Sequence, residues 1–158
     1  MAAPTPTARQ TPSGYKLPDG YQTLITFARQ PAIKFWEKTI KPPGIDGKEA
    51  IDTTTMLNSQ WRTFAHRSLQ TLTPASVKAA YDPEYYTAIR SLINTNDTIT
   101  VRWPDGSTLA FYGFLQGIEY DELVEGTMPE ATLTITPTNW DAANGVEAGP
   151  TFTGSAGT

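Results

Sequence analysis

The sequence has no cysteine and a single histidine, His66. The first absence removes disulfides, thiol catalysis and cysteine metal sites, and it fits a chain made in a reducing compartment. The second leaves no histidine cage for a metal and one imidazole for acid–base work. No run approaches about 18 apolar residues, which argues against a transmembrane helix. The first twenty residues lack the apolar segment of a secretory signal. Basic residues are missing after Arg102: all twelve Lys and Arg lie at or before it. Residues 1–102 therefore sum to +4, and residues 103–158, with eight acids, to −8. The whole chain is at −4, without the net basic footprint of a protein built to grip DNA. Such a division is ordinary solvated surface, or else two opposed faces suited to head-to-tail contact between copies.

What is present points to β structure. The 158 residues suffice for one domain with a real core. Residues 1–20, rich in Pro and Gly, read as an extended arm; 21–138 as the folded domain; 139–158 as a flexible C-terminal tail. Threonine occurs 25 times, often alternating with Ile, Val or Leu. Thr98–Trp103 places Ile99, Val101 and Trp103 on one face, and Thr132–Thr136 does the same with Leu133 and Ile135, so both read as half-polar strands. Pro104-Asp105-Gly106-Ser107 is a turn, joining 97–103 to 108–119 as a hairpin. Further strands are expected at Gln22–Ala28, Ile33–Ile40 and about Leu69–Tyr81, the last bulged near Pro74. One helix is expected: Asp82 as N-cap, Pro83 at N1, Tyr85, Ile89 and Leu92 at helical spacing, and Asn94 closing it.

Between the second and third strands lies a long segment, Pro42–Ala65. Loops of this length are usually functional, and the apolar content of this one (Ile45, Ile51, Met56, Leu57, Trp61, Phe64) calls for burial, which a partner surface supplies. The chemistry-bearing residues elsewhere are less informative. His66 has no recognisable nucleophile or orienter beside it. Asp46, Glu49 and Asp52 lack the spacing of a calcium loop. Glu119, Asp121, Glu122 and Glu125 form a charge run after a strand, better read as solvated acids than as a glycosidase pair. The four tryptophans are scattered core or interface anchors.

Several stretches, in this order and spacing, resemble siphophage-type major tail tube proteins. They are Pro42-Pro43-Gly44-Ile45-Asp46-Gly47, Asp52-Thr53-Thr54-Thr55, Gln60-Trp61-Arg62-Thr63, Ala80-Tyr81-Asp82-Pro83, Trp103–Leu115, Val124-Glu125-Gly126 and Ala131–Asn139. The resemblance spans about residues 22–140. It implies a mainly β fold, a β-sandwich or rolled barrel of two packed sheets with one flanking α-helix and a long inter-strand loop. It implies homohexameric rings stacked into a tail tube, the conduit for DNA ejection, in a virion tail assembled in the host cytoplasm. The implied partners are further copies, other tail proteins (tape measure, tail tip, terminator) and DNA passing through without specific binding; no cofactor, metal or enzymatic activity is implied. The loop residues Pro43, Gly44, Ile45, Asp46, Ile51, Asp52, Met56, Leu57 and Trp61 become candidates for the ring and stacking interface. Asp97, Glu119, Glu122 and Glu130, in or beside expected strands, become candidate lumen acids that would repel DNA. The alternative reading is a monomeric β-sandwich module binding a carbohydrate or another ligand, which would stay monomeric and shift its melting temperature with that ligand.

Overall fold

The computed structural model describes residues 23–154 apart from 34 and 81; the arm read at 1–20 lies outside them. The short strands β1 (Leu24–Phe27) and β2 (Trp36–Lys41) come first. An excursion follows that contains β3 (Ile45–Asp46), β4 (Ile51–Asp52), β5 (Phe64–Ala65) and β6 (Thr71–Leu72). After β7 (Ala75–Ala80) comes helix α1 (Tyr86–Leu92), then the long strands β8 (Asp97–Arg102), β9 (Thr108–Tyr120) and β10 (Glu130–Pro137). Three short strands, β11 (Trp140–Asp141), β12 (Val146–Glu147) and β13 (Thr151–Thr153), end the described chain.

One antiparallel sheet of seven strands dominates, in the order β1-β8-β9-β10-β7-β2, with β13 added to β9. The mainly β expectation with one short helix holds, and the rolled form is the apt description of it. The alternation along each strand sends one side chain in two inward. Ile25, Phe27, Val77, Ile99, Phe111, Leu133 and Ile135, drawn from five of the sheet's strands and two more residues of the same faces, all enter a single buried cluster. A flat sheet could not bring both ends to one core, so the sheet curls. Its end strands meet at a seam: the Ile25 amide donates to the Glu37 carboxylate at 3.3 Å. The Phe27 and Phe35 rings lie 5.8 Å apart beside it. Two bulges help the curl, at Lys38 in β2 and opposite Thr134–Ile135 at Gln116 in β9.

Local signals formed where the sequence placed them. The Asp82 carboxylate accepts from the Glu84 amide at 3.0 Å and Pro83 begins a 3₁₀ turn that leads into α1. Ile89 and Leu92 are buried and Tyr85 packs partly against the core. Asn94 leaves the helix with φ 56°, its amide donating to the Leu115 carbonyl. In the β8–β9 turn Gly106 takes φ 87° and the Asp105 carboxylate accepts from the Ser107 amide and hydroxyl. The expected strand at 69–81 is interrupted at Thr73–Pro74, giving β6 and β7, because proline has no amide to donate. Within the segment read as a flexible tail, residues 139–154 carry defined structure. Asp141 organises a tight turn by accepting from the Ala143 and Asn144 amides and the Asn144 side chain, and β13 pairs Thr151–Thr153 with Ala110–Thr108.

Two substitutions test this packing. Ile89→Ala should lower unfolding free energy by about 2–5 kcal/mol in denaturant titration, the usual cost of emptying a buried aliphatic site. Gly113 lies where a Cβ would meet the Thr136 carbonyl oxygen at 2.7 Å. Gly113→Ala should therefore cost about 1–3 kcal/mol, the range for overpacking a tight site; an unchanged midpoint would show that β10 yields there freely.

Candidate assembly surfaces

Three surfaces stand out from the core. The first is the excursion between β2 and β7, which is an extended hairpin arm and not an irregular loop. Its base is the β3–β6 pair, Ile45 opposite Leu72, and its middle the β4–β5 pair, Ile51 opposite Ala65. Beyond that pair the threonines continue the ladder: the Thr53 amide donates to the Thr63 carbonyl at 2.9 Å, and the two hydroxyls lie 3.1 Å apart. The tip is closed by Asn58, whose carboxamide accepts from the Thr55 amide and donates to the Trp61 carbonyl. The arm's order thus comes from its own backbone and hydroxyl bonds, with its apolar side chains outside. Met56 is fully exposed, Leu57 94% and Trp61 80%, with Ile45, Ile51, Phe64 and Leu69 also exposed. The interface candidates Ile45, Asp46, Ile51, Asp52, Met56, Leu57 and Trp61 all lie on this arm, and Pro43 and Gly44 at its root, where Gly44 exchanges hydrogen bonds with Thr73. Asp46 and Asp52 hold backbone amides two residues on, Lys48 and Thr54. Those bonds keep both carboxyls below the usual range: the Lys48 amide bond leads for Asp46 and the Thr54 hydroxyl for Asp52.

The second surface is the outer face of the sheet. By register, Thr26, Thr98, Thr100, Thr132, Thr134 and Thr136 share it, with Ser76 opposite Thr134. The same face bears Lys38, Lys41, Lys78 and Arg102 against Glu119 and Glu130. At its lower end Lys38 pairs with Glu130, and Lys78 with Asp121 at 2.8 Å and Glu130 at 3.0 Å. The Lys38 ammonium, followed by that of Lys78, holds the Glu130 carboxyl below its ordinary value, and the hydrogen bonds that Lys78 donates to Asp121 and then Glu130 raise Lys78.

These placements revise the set of candidate lumen acids. Asp97 is buried at 8% exposure, and its carboxylate accepts from the Arg29 amide at 2.9 Å and the Thr98 amide at 2.7 Å. It fastens the end of β1 to β8, because an aspartate at a strand start with two amides in reach is held by them. Glu130 is matched by two lysines, and Glu122 lies past the end of β9 in the β9–β10 loop. Glu119 is exposed on the outer face opposite Thr132.

The third surface lies beside the seam, at the end of the sheet away from the arm. A groove of about 620 Å³ runs past Leu24, Pro31, Ile33, Phe35, Trp36 and Met128. Its neighbour is the β9–β10 loop, where Leu123, Val124 and Met128 are exposed among acids. Burial pushes the Glu37 carboxyl at the seam upward. Elsewhere, His66 is exposed on the arm, with its ring Nδ1 3.2 Å from the Arg67 carbonyl and no nucleophile beside it. Among the described residues no three His, Asp or Glu side chains gather as a metal site.

The chain superposes with TM-score 0.61 on a chain of the virion of a native gene transfer agent particle, covering 86% of this chain and 98% of that one at 17% identity. It shares its fold with tail-assembly proteins. A chain of the anti-feeding prophage baseplate, 6-fold symmetrised, matches at TM-score 0.59 over 85% of this chain and 92% of that one, at 8% identity. A chain from the C6-symmetric tail of an empty gene transfer agent particle gives 0.51, 15% identity and coverages of 75% and 83%. No family model and no curated protein sequence matches. At these identities the likeness is one of fold, and it agrees with the tail tube resemblance read from the sequence.

The two carboxyls at the sheet's lower end titrate in opposite senses. Glu130, with its value lowered from 4.5, contributes stability that is complete above that value and is lost as pH falls through the lower folded one. Glu37, raised from 4.5, favours the protonated folded form, so its effect runs the other way as pH rises through its window. Glu130→Gln should lower the melting temperature at neutral pH, and the gap to wild type should close below pH 4.5. A gap independent of pH would mean that the carboxylate charge is not what Lys38 and Lys78 hold.

Proposed function

We propose that this chain is a structural protein of a virion tail, one that self-assembles into hexameric rings stacked as a tail tube through which DNA is ejected. The observation that carries the reading is the arm: some thirty residues are ordered by backbone and hydroxyl bonds while holding seven large apolar side chains in solvent. A monomer gains nothing from that exposure, whereas an assembly buries it. The sheet supports the same reading. Among the described residues strands β1 and β2 each have a ladder partner on one side and meet at the seam through one backbone-to-side-chain bond, so backbone groups along both edges are open to neighbouring copies. The fold likeness to chains of six-fold symmetric tail and baseplate assemblies is a further support.

In this reading the hydroxyl-rich face lines the passage, where threonines offer short, neutral contacts to phosphates. The Lys38–Glu130–Lys78–Asp121 network ties up two of that face's lysines, so they do not act as free anchors for a polyanion. The chain's work is mechanical and asks for no catalytic group or cofactor. Its partners are further copies and the other tail proteins, tape measure, tip and terminator, within a virion assembled in the host cytoplasm.

Replacing residues 46–58 with a short Gly-Ser linker should leave the far-ultraviolet circular dichroism strand-like and abolish tubes in negative-stain images. Tubes of normal form from that variant would remove the arm from the interface.

A further inference from the structure

The arm and the groove lie at opposite ends of the same sheet. The arm leaves after Lys41 and returns before Ala75, while the groove and the β9–β10 loop sit by Trp36, Ala80 and Glu130. Strand β7, six residues from Ala75 to Ala80, runs from one end to the other, about 17 Å at the usual rise per residue. The two ends carry complementary surfaces. The tip and returning strand of the arm, residues 53–70, hold Arg62, His66 and Arg67 and no acid, while the outgoing strand carries Asp46, Glu49 and Asp52 beside Lys48. The β9–β10 loop, residues 121–129, holds Asp121, Glu122 and Glu125 and no base. Each charged segment is interleaved with exposed apolar side chains, Met56, Leu57 and Trp61 on the arm, Leu123, Val124 and Met128 on the loop.

Within the chain these charges are poorly spent. Arg62 reaches Asp52 only at 3.8 Å with its side chain 77% exposed, and Arg67 donates to the Glu49 carbonyl. Glu122 and Glu125 make no ion pair among the described residues, while Asp121 is engaged by Lys78. No hydrogen bond or ion pair joins the arm to the loop among the described residues.

Resting on the proposed assembly, we infer that the arm tip of one copy docks head-to-tail on the β9–β10 loop and seam groove of another copy, with Arg62 and Arg67 facing Glu122 and Glu125. The occupant of the groove is a second copy of this chain, its apolar tip seated beside Trp36 and Met128. Such a contact uses two different patches of one molecule, so it propagates from copy to copy without closing on a pair. Polarity is built in, because arm meets loop and neither patch complements itself: two arm tips repel, and so do two loops.

Charge reversal on each side tests the pairing. R62E/R67E and E122K/E125K, each alone, should abolish tubes while circular dichroism and melting remain those of a folded sheet, since all four side chains are exposed. An equimolar mixture of the two variants should recover tubes in part, since the arm of each meets the oppositely charged loop of the other, and one chain carrying all four reversals should recover them fully, because both patches have exchanged sign. Charge-neutral R62Q/R67Q and E122Q/E125Q provide the milder arms: each should raise the concentration at which sedimentable tubes form, and wild-type tubes should show the greater sensitivity to added salt. Recovery by the fourfold variant establishes the contact. Loss in both halves without recovery, or tubes indifferent to either neutral pair, overturns it while leaving tube formation by the wild type intact. Wild-type protein that remains monomeric at every concentration overturns the assembly reading itself.

Discussion

Strand β9 is longer than any of its partners and has to serve three of them. Its first half lies between β8 and β13, and from Gly113 onward it pairs with β10. The change of partner along one edge brings the Thr136–Pro137 backbone against Gly113, leaving no room for a side chain there. Much of the sheet's curl turns on this strand: the bulge at Gln116 tilts its lower half, and Phe111 and Leu115 plant it in the core. Helix α1 is tied to it too, through the Asn94 amide and the bridge from Ile93 to Leu115.

The core therefore owes little to the arm or to the C-terminal strands. Apart from Leu72 at the arm's base, the buried cluster draws its members from β1, β7, β8, β9, β10, α1 and Ile33. A subunit built in this way can be complete as a folded unit and still incomplete as a surface. Exposed backbone edges, an apolar arm and an acidic apolar loop are all compatible with a satisfied interior, and they belong to contacts the chain makes outside itself.

How much of this could be read from the sequence depended on distance along the chain. The N-cap at Asp82, the Gly106 turn and the alternation through Ile99 and Val101 are encoded within a few residues, and each formed as expected. The role of Asp97 in fastening β1 to β8 was not legible, because its partner, the Arg29 amide, is 68 residues away and no local pattern announces it. Strand β13 was missed for a related reason: Thr151-Phe152-Thr153 is short, flanked by Gly and Pro, and acquires strand character from Leu109 and its neighbours. The arm's existence was legible in the apolar residues of a long polar segment. Its hairpin form was not, since it rests on cross-strand threonine bonds whose register sequence alone does not give. Nor could the pairing of Glu130 with lysines from two other strands be read before the strand order was known.

The arm also makes the unassembled subunit the vulnerable species. Its tip, Met56 to Trp61, stands in solvent on a two-stranded stalk, the kind of site where proteases nick a folded chain with least resistance. A cut there would spare the core and leave a chain that looks native by its fold yet, on the proposed assembly, has lost its means of joining others. In a cell, the interval between synthesis and incorporation would then set how much of the pool remains competent, and incorporation itself would be the protection.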